Sequence, residues 1–199
     1  MLGVDAFQPG ALRPTAHTVM LDLGSSELSR HVRMSTSPLG LFITWTVDST
    51  FLPGDFRGWR HRDVGPQLAR PRLQTWHENR LQHDVITLND SMRKVAEDAI
   101  REISGVRNWS LWAVTVRSNH VHVVVTAPDY APKLVRDQLK AKATKELRSA
   151  FSVWKDRPVW SAKGDIEFLD SESDIEQCVV YVVEAQDRKV KNAIQTREP

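Results

Sequence analysis

Ser118-Asn-His-Val-His-Val-Val-Val125 is the stretch on which the reading of this chain turns. Successive strand residues face opposite sides, so His120 and His122 project together, about 6.5 Å apart along the chain, while Val121 and Val123 point the other way. The strand is otherwise continuously apolar, which predicts a central position with both faces covered. A doubled polar interruption in such a strand needs a reason. Two neutral imidazoles on a rigid strand make half of a site for a divalent cation. Two exposed strand histidines are the other reading of the same spacing.

Outward from this strand the pattern is mixed. Trp109 to Arg117 reads as a strand that turns at Ser118-Asn119 into His120 to Ala127, an antiparallel pair. Upstream, Asn89 is the expected N-cap of a helix whose apolar residues Met92, Val95, Ala96, Ala99, Ile100 and Ile103 recur at helical spacing until Gly105. Leu41-Phe-Ile-Thr-Trp-Thr-Val47 is a β-branched and aromatic run with the character of a buried strand. Asp48 to Leu88 between them reads as one long loop, rich in Arg and Trp and broken by Gly and Pro. Downstream, Pro132 opens a helix with Val135, Leu139, Ala143, Leu147 and Phe151 as its stripe. Pro158 to Trp160 and Asp165 to Leu169 are short strand or loop elements, and Ser171 or Ser173 caps a last helix running to about Lys189. Strands and helices alternate without regular βαβ repetition, so the expected class is α+β, a central antiparallel sheet covered by helices. Residues 1–38 are expected to be a flexible N-terminal extension, 39–190 the folded domain and 191–199 a tail.

Composition bounds the rest. The 199 residues are 41% hydrophobic and 26% charged, which suits a globular domain. No run of about eighteen apolar residues occurs, so no membrane span is expected. The opening MLGVDAFQPG lacks a basic start followed by an apolar run, and the one cysteine, Cys178, cannot form an internal disulfide; a cytoplasmic setting is expected. The net charge of +2 is mild but uneven. Residues 51–80 hold six Arg against three acids, residues 131–148 six Lys or Arg against two, and residues 165–176 six acids and no base.

Only two tyrosines occur, Tyr130 and Tyr181. Tyr130 lies in the turn Ala127-Pro-Asp-Tyr-Ala-Pro132, where packing is its expected role. In the last helix, Ile175, Cys178, Val179 and Val182 form the inward stripe. Tyr181 sits about 120° from its centre, on a flank where a hydroxyl can reach a cleft. Gln186 returns to the inward stripe and needs a polar partner there.

In this combination the sequence resembles the IS200/IS605-like tyrosine transposases of the HUH superfamily (the Y1 group), and within it most nearly the REP-associated tyrosine transposases. The Asn119-His-Val-His122 strand is similar to the family's His-hydrophobe-His motif, and Tyr181 follows at the family's separation. Histidines before tyrosine is the transposase and replication-initiator order, whereas relaxases reverse it. Phe42-Ile-Thr-Trp45, Phe51-Leu-Pro-Gly-Asp-Phe-Arg-Gly58, Lys140 to Arg148 and Pro158-Val-Trp160 extend the resemblance over roughly residues 41–186. One position departs from it. Four residues after the tyrosine, where many relatives place a polar ligand, this chain has Ala185, flanked by Glu184 and Gln186.

The resemblance implies a ferredoxin-like, RRM-like nuclease core that cleaves and rejoins single-stranded DNA at hairpin-associated sites through a 5′-phosphotyrosine. Tyr181 is then the nucleophile. His120 and His122, with Gln186 (or Glu184), hold Mg²⁺ or Mn²⁺. The partner is single-stranded or hairpin DNA, bound by a monomer or homodimer. Lys133, Arg136, Lys140 and Lys145 on one helix, with Arg57, Arg60 and Arg62 in the long loop, are the expected phosphate contacts. Trp59 and Trp76 are candidates for stacking on unpaired bases. Three other readings use the same residues: a DNA- or RNA-hairpin-binding protein of this fold that does not cut, a metal-dependent hydrolase in which water attacks, and an RNA-binding sheet module. The last lacks aromatics on the His120 to Val125 strand.

Overall fold

In the computed structural model the chain runs β1 (Gly40–Thr46), β2 (Trp59–His61), β3 (Gly65–Gln67), α1 (Pro71–Glu78), α2 (Asp90–Val106), β4 (Ser110–Val116), β5 (His120–Thr126), α3 (Pro132–Ala150), a 3-10 turn at Ser152–Trp154, β6 (Asp165–Leu169) and α4 (Glu172–Gln195). The structure describes residues 38–61 and 64–195; the side chains of Arg60 and of residues 185–195 fall outside that description. The extension expected over residues 1–38 lies outside the described residues except for Pro38. The backbone of α4 is helical through Gln195, past the end expected at Lys189.

β1, β4, β5 and β6 form one sheet in the order β4-β5-β1-β6, every neighbouring pair antiparallel. β5 is central, paired with β1 on one side and β4 on the other. Because β5 opposes both of these, β1 and β4 run parallel, with α2 as their crossover; β5 and β6 are related in the same way through α3. This is the split βαββαβ arrangement of the ferredoxin-like fold.

Two apolar layers hold it. Val121, Val123 and Val125 of β5 and Leu41, Ile43 and Trp45 of β1 face α2 and α3, packed with Ala96, Ile100, Leu139, Ala143 and Leu147. The valines of β5 are fully buried, each worth roughly 1.5–3 kcal/mol of transfer free energy. The opposite face is smaller: Phe42, Ala113, Val124 and Leu169 meet Ile175 and Val182 of α4. Both caps follow from local chemistry. Asn89 Oδ1 accepts from Met92 N at 2.9 Å, and Ser171 Oγ accepts from Asp174 N while Asp174 Oδ2 accepts from Ser171 N, a reciprocal box that starts α4.

The expectation of one long loop over residues 48–88 is corrected: it carries the β2–β3 hairpin and α1. These elements left little sequence signal, because the strands have three residues each and α1 buries none of its own. Pro71 takes a first-turn position of α1, where its missing N–H costs nothing. Gly54, at φ +92°, lets the chain pass against the start of α1; an added Cβ would lie 2.6 Å from Arg70 O.

Candidate active site

β5 and α4 bring the singled-out residues together. The ladder sets His122 opposite Thr44 of β1 and Thr115 of β4, and His120 opposite Thr46. Both imidazoles therefore lie on the α4 side, as alternation predicts. Their ring centroids are 4.7 Å apart. Thr115 Oγ1 donates to Val182 O of α4 at 3.1 Å, which fixes the helix over this end of the sheet. One helical position away, the Tyr181 ring comes within 5.9 Å of the His122 ring. Phe42 joins the two: it stacks on His122 at 5.6 Å and meets Tyr181 edge-on at 6.1 Å. Tyr130 sits on the other side of the sheet, edge-on to Trp109 at 5.2 Å in the larger apolar layer.

Burial sets the protonation of the pair. His122 is 7% exposed. Desolvation, then the charges of His120 and Arg117, lower its pKa to about 3. For His120, desolvation followed by the charges of Arg117 and Arg57 lowers it to about 4. Both are neutral at pH 7, the form that ligates a metal. His120 Nδ1 lies 2.7 Å from Asn119 Oδ1, an acceptor, so Nδ1 carries the proton and Nε2 keeps its lone pair. His122 Nδ1 is buried and has no hydrogen-bond partner among the described residues. Tyr181, half-buried, has its phenol pKa raised by desolvation and then by Glu167 and Cys178, so it is a protonated phenol at neutral pH.

Residues 80–183 match the family described as Transposase IS200 like. The chain belongs to the IS200-like transposase family. No curated protein matches the chain. Among solved structures, it is similar to a candidate transposase from Deinococcus radiodurans R1, at 14% identity and TM-score 0.43, over 89% of this chain and 98% of that one. It is also similar to a REP-associated tyrosine transposase bound to a REP hairpin, at 15% identity and TM-score 0.44, over 83% of this chain and 74% of that one.

Other candidate residues of this family member are placed less simply. Among the described residues no cluster of three or more His, Cys, Asp or Glu gathers at a metal-binding distance. Glu184 is exposed on α4, and the Gln186 side chain lies outside the described residues. Arg57 is engaged internally: Nε and Nη2 donate to Asp55 at 2.8 and 2.7 Å, and Nη2 also reaches Thr50 O at 3.0 Å. Lys140 Nζ donates to Ser161 O at 2.6 Å and Lys163 O at 3.0 Å. Arg136 bonds Asp137 at 2.8 Å and Gly164 O at 3.3 Å. Both residues tie the 161–164 segment to α3. Lys133 and Lys145 extend into solvent. Arg62 and the Arg60 side chain are outside the described residues. Trp59 Nε1 donates to Leu68 O at 3.1 Å, whereas Trp76 is 49% exposed with the Arg80 guanidinium 3.7 Å above its ring. Asn119 is the orienting group that sequence reasoning quoted without a role; its adjacency to His120 was the available signal.

Proposed function

We propose that this IS200-like transposase family member cleaves and rejoins single-stranded DNA beside hairpins, with Tyr181 as nucleophile and with His120 and His122 holding Mg²⁺ or Mn²⁺. The observation that carries this reading is the approach of the Tyr181 ring on α4 to within 5.9 Å of the His122 ring on β5. The residues suit a cation: both imidazoles are neutral, His120 Nδ1 is engaged by Asn119 so that Nε2 is the nitrogen with a lone pair, and His122 Nδ1 is buried without a partner among the described residues. Gln186, or Glu184 beside it, is the third ligand in this reading. Imidazole nitrogens favour Mn²⁺, and phosphate oxygens together with cellular abundance favour Mg²⁺.

The chain's own groups then divide the work. Lys133 and Lys145 attract the phosphate backbone, and exposed Trp76 offers a face to unpaired bases. Phe42 and the α4 stripe hold the Tyr181 ring at the edge of the His pair. The phenol oxygen attacks phosphorus and the bond from phosphorus to the 3′-oxygen breaks. The phenolic proton leaves through solvent for the released 3′-oxygen, giving a 5′-phosphotyrosine and a 3′-hydroxyl. A bound cation supplies positive charge against the phosphoryl oxygens. The reverse attack by a 3′-hydroxyl reseals DNA, and the phosphodiester linkage is conserved throughout, so no nucleotide cofactor is needed. His120, His122 and Tyr181 belong to one chain, so a monomer carries all three, and a homodimer would carry them twice. Among the described residues no helix is long and apolar enough to cross a membrane; the proposed setting is the cytoplasm.

The test uses labelled single-stranded oligonucleotides tiling the DNA on either side of this protein's own gene, with Mg²⁺, Mn²⁺ or EDTA. A denaturant-resistant protein–DNA adduct that needs the cation and disappears in His120→Ala and His122→Ala is expected. Binding without an adduct would make the chain a non-cleaving hairpin binder. A diffusible 5′-phosphate product would make it a hydrolase.

A further inference from the structure

Arg117 directly follows β4 and opens the turn onto the strand of the His pair, its backbone N–H donating to His120 O at 2.8 Å. Thr115, two residues earlier, faces His122 across the ladder and bonds α4. Alternation therefore puts Arg117 on the same face as the His pair and Tyr181. Its guanidinium is partly buried, and Nε is fully enclosed without a hydrogen-bond partner. An open groove runs along the unpaired edge of β4, lined by Arg117, Val183 and the α2 residues Arg93, Lys94 and Arg101. Each α2 cation has a carboxylate of its own: Arg93 has Asp90, Lys94 has Asp98 and Arg101 has Glu97. Arg117 alone of these cations has none among the described residues.

A half-buried guanidinium with no acceptor carries a desolvation cost that a bound anion removes. Its planar fork of N–H donors fits two oxygens of one phosphate. We propose that Arg117 binds the scissile phosphodiester, donating to the non-bridging oxygens of the phosphate that Tyr181 attacks. This rests on the reading of the site as a phosphodiester-cleaving centre. As phosphorus gains a fifth oxygen, charge builds on those oxygens, so the contact strengthens in the transition state and acts on kcat more than on KM.

Two measurements test it separately from that reading. In EDTA, a random-sequence single-stranded 20-mer is added to the labelled protein while the ring resonances of His122 and Tyr181 are followed by NMR. They shift in the wild type and stay in place in Arg117→Gln. With Mn²⁺ and an oligonucleotide that gives the wild-type adduct, Arg117→Gln lowers kcat by about 10²–10³-fold, Arg117→Lys falls in between, and melting temperature and Mn²⁺ affinity are unchanged. Ring shifts that survive in Arg117→Gln, or cleavage by that variant at the wild-type rate, would overturn the assignment and leave the nuclease reading standing. An absent wild-type adduct with the NMR result intact would remove the nuclease reading and keep Arg117 as a phosphate-binding group.

Discussion

His122 is a buried imidazole stacked on Phe42, with an Nδ1 that finds no partner among the described residues. An apolar ring of similar size would relieve that desolvation. His122→Phe is therefore expected to leave the metal-free protein as stable as the wild type, or about 1 kcal/mol more stable, by urea denaturation in EDTA, while the adduct disappears. A loss of more than about 1 kcal/mol would mean that the imidazole is held for packing. At this scale the sequence was informative because a period of two has no ambiguity: His120 and His122 had to share a face, and Val121 and Val123 had to take the other. The flank position of Tyr181 followed from helical spacing. Two things were hidden. The neutral state of the pair depends on burial by α4, and the exposure of Arg117 to the same face depends on where the β4–β5 turn closes.

Between elements, the basic residues divide into ties and exposed charges, a distinction that charge counting cannot make. Lys140 bonds two carbonyls of the 161–164 segment, and Gly164 leaves no room there for a Cβ, which would lie 2.5 Å from Thr44 O. Lys140→Met should thus cost about 1–3 kcal/mol in urea denaturation, whereas Lys145→Gln should leave stability unchanged and weaken single-stranded DNA binding at low salt. The reverse pattern would return Lys140 to the DNA footprint. The loop before β2 has a comparable tie. Burial raises the pKa of Asp55, but the hydrogen bonds and charge of Arg57 outweigh it and hold the carboxyl below its ordinary 3.8. The folded state therefore releases this proton more readily than the unfolded one. The pair's contribution is complete above about pH 4 and is lost as pH falls through the folded value. Asp55→Asn should lower stability by about 1–2 kcal/mol at neutral pH, a modest figure because Arg57 is 39% exposed. The difference from wild type should shrink as pH falls from the carboxyl's ordinary value through its lowered folded one, and a constant difference at every pH would place the effect elsewhere. The β2–β3 hairpin and α1 escaped the sequence reading because short, exposed elements carry almost no hydrophobic period.

Across the whole molecule the two sheet faces differ in depth. α2 and α3 cover one side over an extensive apolar layer, while α4 rests on a small one, with Val180 and Val183 half exposed. Stability should follow that difference: backbone amides of α4 are expected to exchange with deuterium before those of α2 and α3. Equal protection would show that the whole sheet unfolds as one unit. Three strands of the sheet were readable in advance, since β1, β4 and β5 have apolar runs long enough to register and Asn89 and Pro132 mark helix starts; β6, with two acids among its five residues, reads equally as strand or loop in the sequence. The helix that carries the tyrosine joins the histidines through the fold alone, nearly sixty residues of chain away. The central claim is that this joining makes Tyr181 a nucleophile. The most direct measurement is to digest the protein–DNA adduct with protease and identify the modified peptide by mass spectrometry. A 5′-phosphonucleotide on Tyr181, lost in Tyr181→Phe and retained in Tyr130→Phe, is the predicted result; an adduct on Tyr130, or cleavage by Tyr181→Phe, would contradict it.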